Sequence, residues 1–342
     1  MRHAFSAGFA VPAGYLNTPS VGIPPAHVAD AVDETVRRWR TGAAAPPDFD
    51  EAVDITRGAF ARLAGVPAER IAIGGSVSSL VGMVAAGLPD GARVLTAGNE
   101  FTSVSFPFAA HGSRGVTVHE VPLADLPSRV EGHDLVAVSV VQSADGALAD
   151  LPALREAAAA TGVPVLLDVT QAAGWLPLAL EWADWVVGGS YKWLLAPRGA
   201  AWLAVHPRAM ERTVPVAANW YAGEDPWQSV YGLPLRLASG ARRFDISPAW
   251  LSFAGAAVAL PYVASLDQAE VHQHCTGLAD LLLAKLGSPA RGSAIVALAA
   301  PHAAERLADA EVKASVRAGK ARIGFHLYNT ADDVDRVLAA LG

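Results

Sequence analysis

Cysteine and lysine are scarce in this chain of 342 residues. A single cysteine, Cys275, excludes a disulfide framework and a thiolate metal cluster. Charge is also thin: 17% of residues are charged, and the formal net charge of −7 is scattered along the chain. No Lys/Arg cluster with interleaved aromatics occurs, which argues against nucleic acid as a partner. The N-terminal stretch MRHAFSAGFAVPAGYL lacks a sustained apolar segment and turns polar by residue 17. It therefore predicts neither a signal peptide nor a membrane span, but a soluble cytoplasmic protein. Alanine-rich stretches such as EAAAATG are helix formers rather than spans. What is abundant is apolar material: at 52% hydrophobic residues the chain has enough for one large α/β domain and a smaller one.

The lysine deficit is positional. Among 26 basic residues only Lys192, Lys285, Lys313 and Lys320 are lysines, so the first 284 residues hold one. A preference for arginine codons accounts for the trend but not for where the exception sits.

From about residue 70 to 205, short apolar runs alternate with helix-like segments, the pattern of βαβ units around a mainly parallel sheet. The runs at 70–73, 93–96, 116–121, 135–141, 164–168, 185–187 and 200–205 are mostly apolar throughout, as strands covered on both faces are. One connecting helix is marked by Asp150 as N-cap, Pro152 in its first turn and Gly162 past its end. Residues 214–250, rich in Trp, Tyr, Gly and Pro, read as an extended excursion across a surface. A helical stretch follows to about residue 286, and then a small α/β unit with strands near 293–298, 312–316 and 321–326. The economical division is a large domain over 15–250 and a small one from 1–14 with 251–342.

In an open parallel sheet ligands bind beyond the carboxyl ends of the strands. After the run at 70–73 comes GGSVSS, and Gly74, Gly75, Ser76 and Ser78 at a helix N-terminus offer free N–H groups to an anion. Alone, such a serine is more often a simple cap. The strand VPVLLD closes on Asp168, and a carboxylate there is expensive without a cation. A protonated pyridine nitrogen would serve, as would a plain N-cap role. After 185–187 comes GGSYKWLLAPRG with the lone Lys192, an amine whose pKa falls at a dry strand end. Asn99-Glu100-Phe101 puts an aromatic at the same edge, able to stack on a flat ligand.

LLDVTQAAG followed some twenty residues later by GGSYKWLLAPRG resembles the aminotransferase class V family of fold-type I pyridoxal-phosphate (PLP) enzymes. That group contains cysteine desulfurases, kynureninases and isopenicillin-epimerase-like proteins. The resemblance runs from YLNTPSVG, which includes Asn17, to RIGFHLYNTADDVDRVL. It implies Lys192 as the Schiff-base lysine, Asp168 as partner of the pyridine nitrogen and Gln171 at the ring hydroxyl. Phe101 would stack on the ring, Ser76, Val77, Ser78 and Ser190 would hold the phosphate, and Ser143 would contact the ring. Arg322 in ARIGFHLYNT matches the arginine that binds the substrate carboxylate, with Asn17 as a further substrate contact. NWYAGED…RRFDISPAW resembles the stretch that crosses to a neighbouring subunit, which implies a homodimer with Trp220, Tyr221 and Ser247 reaching the partner's site.

The implied activity is PLP-dependent chemistry at the α-amino group and Cα of a small L-amino acid, by transamination or carbon–sulfur lyase chemistry. Kynureninase-like hydrolysis and epimerisation remain alternatives, as does a homologue that binds cofactor without turnover. A desulfurase needs a cysteine shortly before the carboxylate arginine, whereas Cys275 lies far upstream in a helical pattern. No G-x-G-x-x-G follows the first strand, which disfavours a dinucleotide enzyme. His326, four residues after Arg322, would face the same side of a strand and could line the substrate site, although a histidine without that role is the commoner case. His272 and Cys275 share a helix face but lack a third ligand, so no metal site is expected.

Overall fold

The computed structural model describes residues 1–342. The chain opens with a hairpin of β1 (Arg2–Ala4) and β2 (Ala7–Phe9), then helices α1 (Ala26–Arg40) and α2 (Asp50–Ala64). The sheet segment follows as β3 (Ile71–Gly74), α3 (Val77–Ala86), β4 (Arg93–Ala97), α4 (Thr102–Ala109), β5 (Thr117–Val121) and β6 (Leu135–Ser139). It continues with α5 (Leu151–Thr161), β7 (Val165–Asp168), β8 (Trp185–Gly189) and β9 (Ala201–Val205). Helices α6 (Trp250–Ser265) and α7 (Gln268–Lys285) lead to β10 (Ile295–Leu298), α8 (Ala303–Asp309), β11 (Ser315–Arg317), β12 (Lys320–Gly324) and α9 (Ala331–Leu341).

The seven-stranded sheet has the order β3-β9-β8-β7-β6-β4-β5. Neighbours from β5 to β8 pair parallel, and only β9 runs against the rest. Every residue of β6, β8 and β9 is buried, as their unbroken apolar runs require. Phe60 of α2, Leu154 of α5 and Phe253 of α6 pack on one face, and Leu80 of α3 with Val104 and Phe108 of α4 on the other. The expected caps form: Asp150 accepts from the Ala153 N–H, and Gly162 ends α5 with a left-handed φ of 72°.

The helical stretch after residue 250 is two helices bent by 89°. Asp267 interrupts it, accepting from the N–H groups of Ala269 and Glu270 to start α7 afresh. Helix α6 packs against α1 and α2, whereas α7 runs on to cover, with α8 and α9, the antiparallel sheet β10-β12-β11. No single helix is long and apolar enough to cross a membrane.

Candidate active site

Strands β3, β4, β6, β7 and β8 run in one direction, so their carboxyl ends open at one edge. The segments that follow them line a single cleft. Ser76, Val77 and Ser78 come from the start of α3, Phe101 from the turn after β4, and Ser143 from the loop after β6. Asp168 and Gln171 follow from β7, and Lys192 from the turn after β8. The sequence-predicted residues thus meet because consecutive βα turns of a parallel sheet have nowhere else to go.

The Lys192 ammonium is 5% exposed and makes no hydrogen bond or ion pair; it lies over the Phe101 ring at 5.2 Å and the Tyr191 ring at 5.6 Å. Burial depresses its pKa to about 8, against the pull of the Asp168 charge. Asp168 is buried too, and burial lifts its carboxyl to about 6 although Oδ1 accepts from the Thr170 N–H at 2.7 Å. Each group is held in the environment least suited to its charge, an arrangement typical of sites built for a missing charged partner.

Next to this cleft, sharing Phe101, Ser143, Tyr191, Lys192 and Arg198 with it, lies an outer cavity of about 460 Å³ that contains Arg322. Arg322, only 1% exposed, has neutral partners alone: Ser143 O and Oγ on Nη1, Ser20 Oγ on Nη2 and Ser315 Oγ on Nε. Burial and the nearby Arg317 lower its pKa to about 10. A buried guanidinium without a carboxylate is costly, and an incoming carboxylate relieves that cost. Gln171 organises the wall between the two spaces. Its Nε2 donates to Pro19 O and Ser143 Oγ, while Oε1 accepts from the Trp193 indole.

Other sequence-predicted residues stand outside the cleft of their own chain. The Ser190 hydroxyl donates to Pro197 O and pins the lysine turn. Asn17 bridges to Gly324 with its Oδ1 buried and unpartnered. Trp220 packs on Trp227, the Tyr221 phenol donates to Asp50, and Ser247 is exposed. His326 does not line the substrate cavity: β12 ends at Gly324, and the imidazole turns into the core with Nε2 at 3.0 Å from Trp193 O. Burial drives its pKa down to about 3, so it is neutral. Cys275 is fully buried on α7, and burial pushes its thiol pKa up.

Two acidic or hydroxyl positions escaped sequence reasoning. Thr170 donates its N–H to Asp168 Oδ1 and accepts the Gly189 N–H on its Oγ1, tying β7 to the end of β8. Glu100 accepts from the Phe101 N–H, Ser139 N–H and Oγ, and Gln142 Nε2, locking the aromatic turn to the end of β6. The signal for Glu100 was present, because a carboxylate just past an apolar strand calls for partners there as it does at Asp168.

Comparison with known proteins agrees with this geometry. The family model described as aminotransferase class V matches residues 25–307. An uncharacterized aminotransferase, YcbU, of Bacillus subtilis is 28% identical over 83% of this chain and 81% of its own length. The kynureninase of Deinococcus radiodurans is 26% identical over 79% of this chain and 70% of its own. Among solved structures, the cystine C-S lyase C-DES in complex with cysteine persulfide superposes with a TM-score of 0.85 at 20% identity, covering 97% of both chains. At that identity the likeness speaks for the fold.

The residues present suit PLP. A Cβ added at Gly75 would meet nothing closer than Gly199 O at 3.9 Å, which leaves the mouth of the α3 N-terminus clear for a phosphate beside the Ser76 and Ser78 hydroxyls. Phe101, 40% exposed, offers a ring face, Asp168 a buried carboxylate without an ion-pair partner, and Lys192 an amine without a hydrogen bond. The fold, the family match and the fit of these groups to PLP lead to one conclusion: the chain belongs to the aminotransferase class V family and is a fold-type I, PLP-dependent enzyme.

Proposed function

We propose that this enzyme acts at the Cα of a small L-amino acid, by transamination or by carbon–sulfur elimination, with the substrate α-carboxylate on Arg322. The observation that carries this reading is the buried Arg322 guanidinium, held by serines alone, in a cavity that adjoins Lys192. PLP, when bound, supplies an electron sink for the bonds at Cα. Lys192 Nζ is the base that removes the Cα proton: with a pKa near 8 the free amine is appreciably populated at neutral pH, whereas an unperturbed lysine would be almost wholly protonated. The Asp168 carboxylate would hold a proton on the pyridine nitrogen, and Ser76, Val77 and Ser78 would hold the phosphate. Gln171 keeps Ser143 in place beside Arg322, so that the carboxylate site and the cofactor site move together.

The relative described as an aminotransferase supports the first reaction, and the fold shared with a cystine C-S lyase accommodates the second. A persulfide carried on the enzyme's own cysteine is disfavoured, because Cys275 is enclosed in α7. The two reactions separate by their products. Transamination requires a 2-oxo acid acceptor in step with turnover, whereas elimination breaks the Cβ–S bond and, with one water, releases the sulfur group as a thiol, ammonia and a 2-oxo acid from one substrate. We expect one of these outcomes with the purified holoenzyme. Release of alanine from kynurenine, or conversion of an L-amino acid to its D-enantiomer, would move the assignment to hydrolysis or epimerisation.

The enzyme is proposed to be a homodimer in which the excursion after β9 reaches the partner. Tyr231 and Leu233 there are 88% and 89% exposed, apolar area that a second subunit would cover. Sedimentation at micromolar concentration is expected to give twice the mass of one chain; a monomer with full activity would overturn the cross-subunit role of Trp220 and Tyr221.

A further inference from the structure

We propose that Arg317 forms a second anion site in the outer cavity, and that the preferred substrate is an amino acid whose side chain ends in an anionic group. This rests on the reading that the α-carboxylate sits on Arg322.

The charge of the cavity is one-sided. Lys192, Arg198, Arg317 and Arg322 line it, and no carboxylate does. Arg198 lies over the Tyr191 ring, and Arg317 hydrogen-bonds only the carbonyl of its neighbour Val316, so neither has an acidic partner. Their effect is felt at depth, for Arg317 and Arg198 both lower the pKa of Lys192, and Arg317 lowers that of Arg322. Like charges gathered in a partly enclosed space repel one another and concentrate anions from solution.

One anion does not satisfy this set. Arg322 is anchored deep, with Ser143 and Ser20 hydroxyls at the two nitrogens where a carboxylate would dock bidentately. Exchanging neutral hydroxyls for a carboxylate there is cheap. Arg317 is placed differently, at the end of β11 where the hairpin turns through Ala318 and Gly319, exposed at the mouth. The pairing of Ser315 with Arg322 and of Arg317 with Lys320 sets it two residues outward from the level of Arg322. The same cavity is lined by Val28, Val32 and Leu195, apolar side chains able to pack methylene groups. The cavity thus matches a short molecule with an anion at each end: an aspartate or glutamate, or a sulfinate or phosphate ester of similar length. A neutral side chain would leave Arg317 solvated at the mouth with no counter-charge.

The test compares anionic amino acids with neutral isosteres on the holoenzyme: L-aspartate with L-asparagine, L-glutamate with L-glutamine, and L-cysteine sulfinate and O-phospho-L-serine as the other anions. Affinity is read from the cofactor absorption band, and succinate and glutarate binding from calorimetry, which needs no turnover. The wild type is expected to favour the anionic member of a pair by about 10-fold, the worth of one charge-assisted contact at a half-open site. Arg317→Gln should collapse that ratio towards one, and Arg317→Lys should restore part of it. Which anion binds best identifies the terminal group. Equal affinity for both members in the wild type, or an unchanged ratio in Arg317→Gln, would overturn the second anion site alone. Failure of every amino acid to perturb the band of a PLP-loaded enzyme would overturn the proposed function and this inference with it.

Discussion

Lys192→Ala is expected to leave a folded protein whose kcat/KM with its best amino acid falls by about 10²–10⁴-fold, the range lost when a positioned proton carrier is removed. The fold tolerates the change because the wild-type side chain is a cost: it has no hydrogen-bond partner, and burial disfavours its charge. The same substitution would remove the proposed covalent anchor of the cofactor. Borohydride should bleach the visible band of the wild type and fix PLP to a peptide carrying Lys192, while the variant yields no labelled peptide. The scarcity of lysine makes this mapping unambiguous, since only Lys285, Lys313 and Lys320 compete, and all lie in the last 58 residues. Labelling at one of those three, or near-normal turnover by Lys192→Ala, would sink the assignment.

Asp168→Asn should move activity and stability in opposite directions. Turnover is expected to fall by about 10²–10³-fold, because the neutral amide no longer holds the proton that stabilises developing negative charge. The apoprotein, by contrast, should become more stable. In the wild type the carboxyl titrates near 6 when folded and near 3.8 otherwise, so the folded chain binds the extra proton and ionisation works against the fold. Below about pH 4 both states are protonated and Asn brings no gain. The cost of the buried charge grows as pH rises from about 4 to 6 and is complete above it. Two pH units correspond to about 3 kcal/mol. That shift is already net of the attraction to Lys192, so the gain at pH 8 is expected to reach at most about 3 kcal/mol. Urea unfolding of both apoproteins across pH 4–8 measures it; a destabilised variant at pH 8 would show that Asp168 is a structural carboxylate.

The sheet was legible because its strands are unbroken apolar runs, which only a doubly covered parallel sheet can bury, and each observed strand falls within two residues of its expected bounds. The lysine and its acidic partner were legible for the complementary reason, as polar groups set where burial penalises them. What the sequence hid depends on distance along the chain. Helices α1 and α2 and the N-terminal hairpin went unread: α1 is amphipathic, but it begins after Pro25 without a side-chain cap to mark its start. That Arg322 is held by Ser20, Ser143 and Ser315 cannot be read from any local pattern, because those residues are 302, 179 and 7 positions away. His326 misled through register: the strand stops at Gly324, and alternation no longer places the imidazole beside the arginine.

Gly22 donates its N–H to Tyr191 O, and a Cβ there would stand 2.0 Å from the Lys192 carbonyl. The lysine turn is thus closed by a segment made 170 residues earlier, just as the Ser20 hydroxyl waits for Arg322 near the other end. On the ribosome, β3 to β9 can pair before residue 250 has emerged, but the substrate cavity has no floor until β12 has been translated and docked. Non-local closure of this length is paid late in folding, since the loop entropy must be met before any contact rewards it. The sheet is therefore expected to mature before the enzyme does, with substrate binding as the last property the nascent chain acquires.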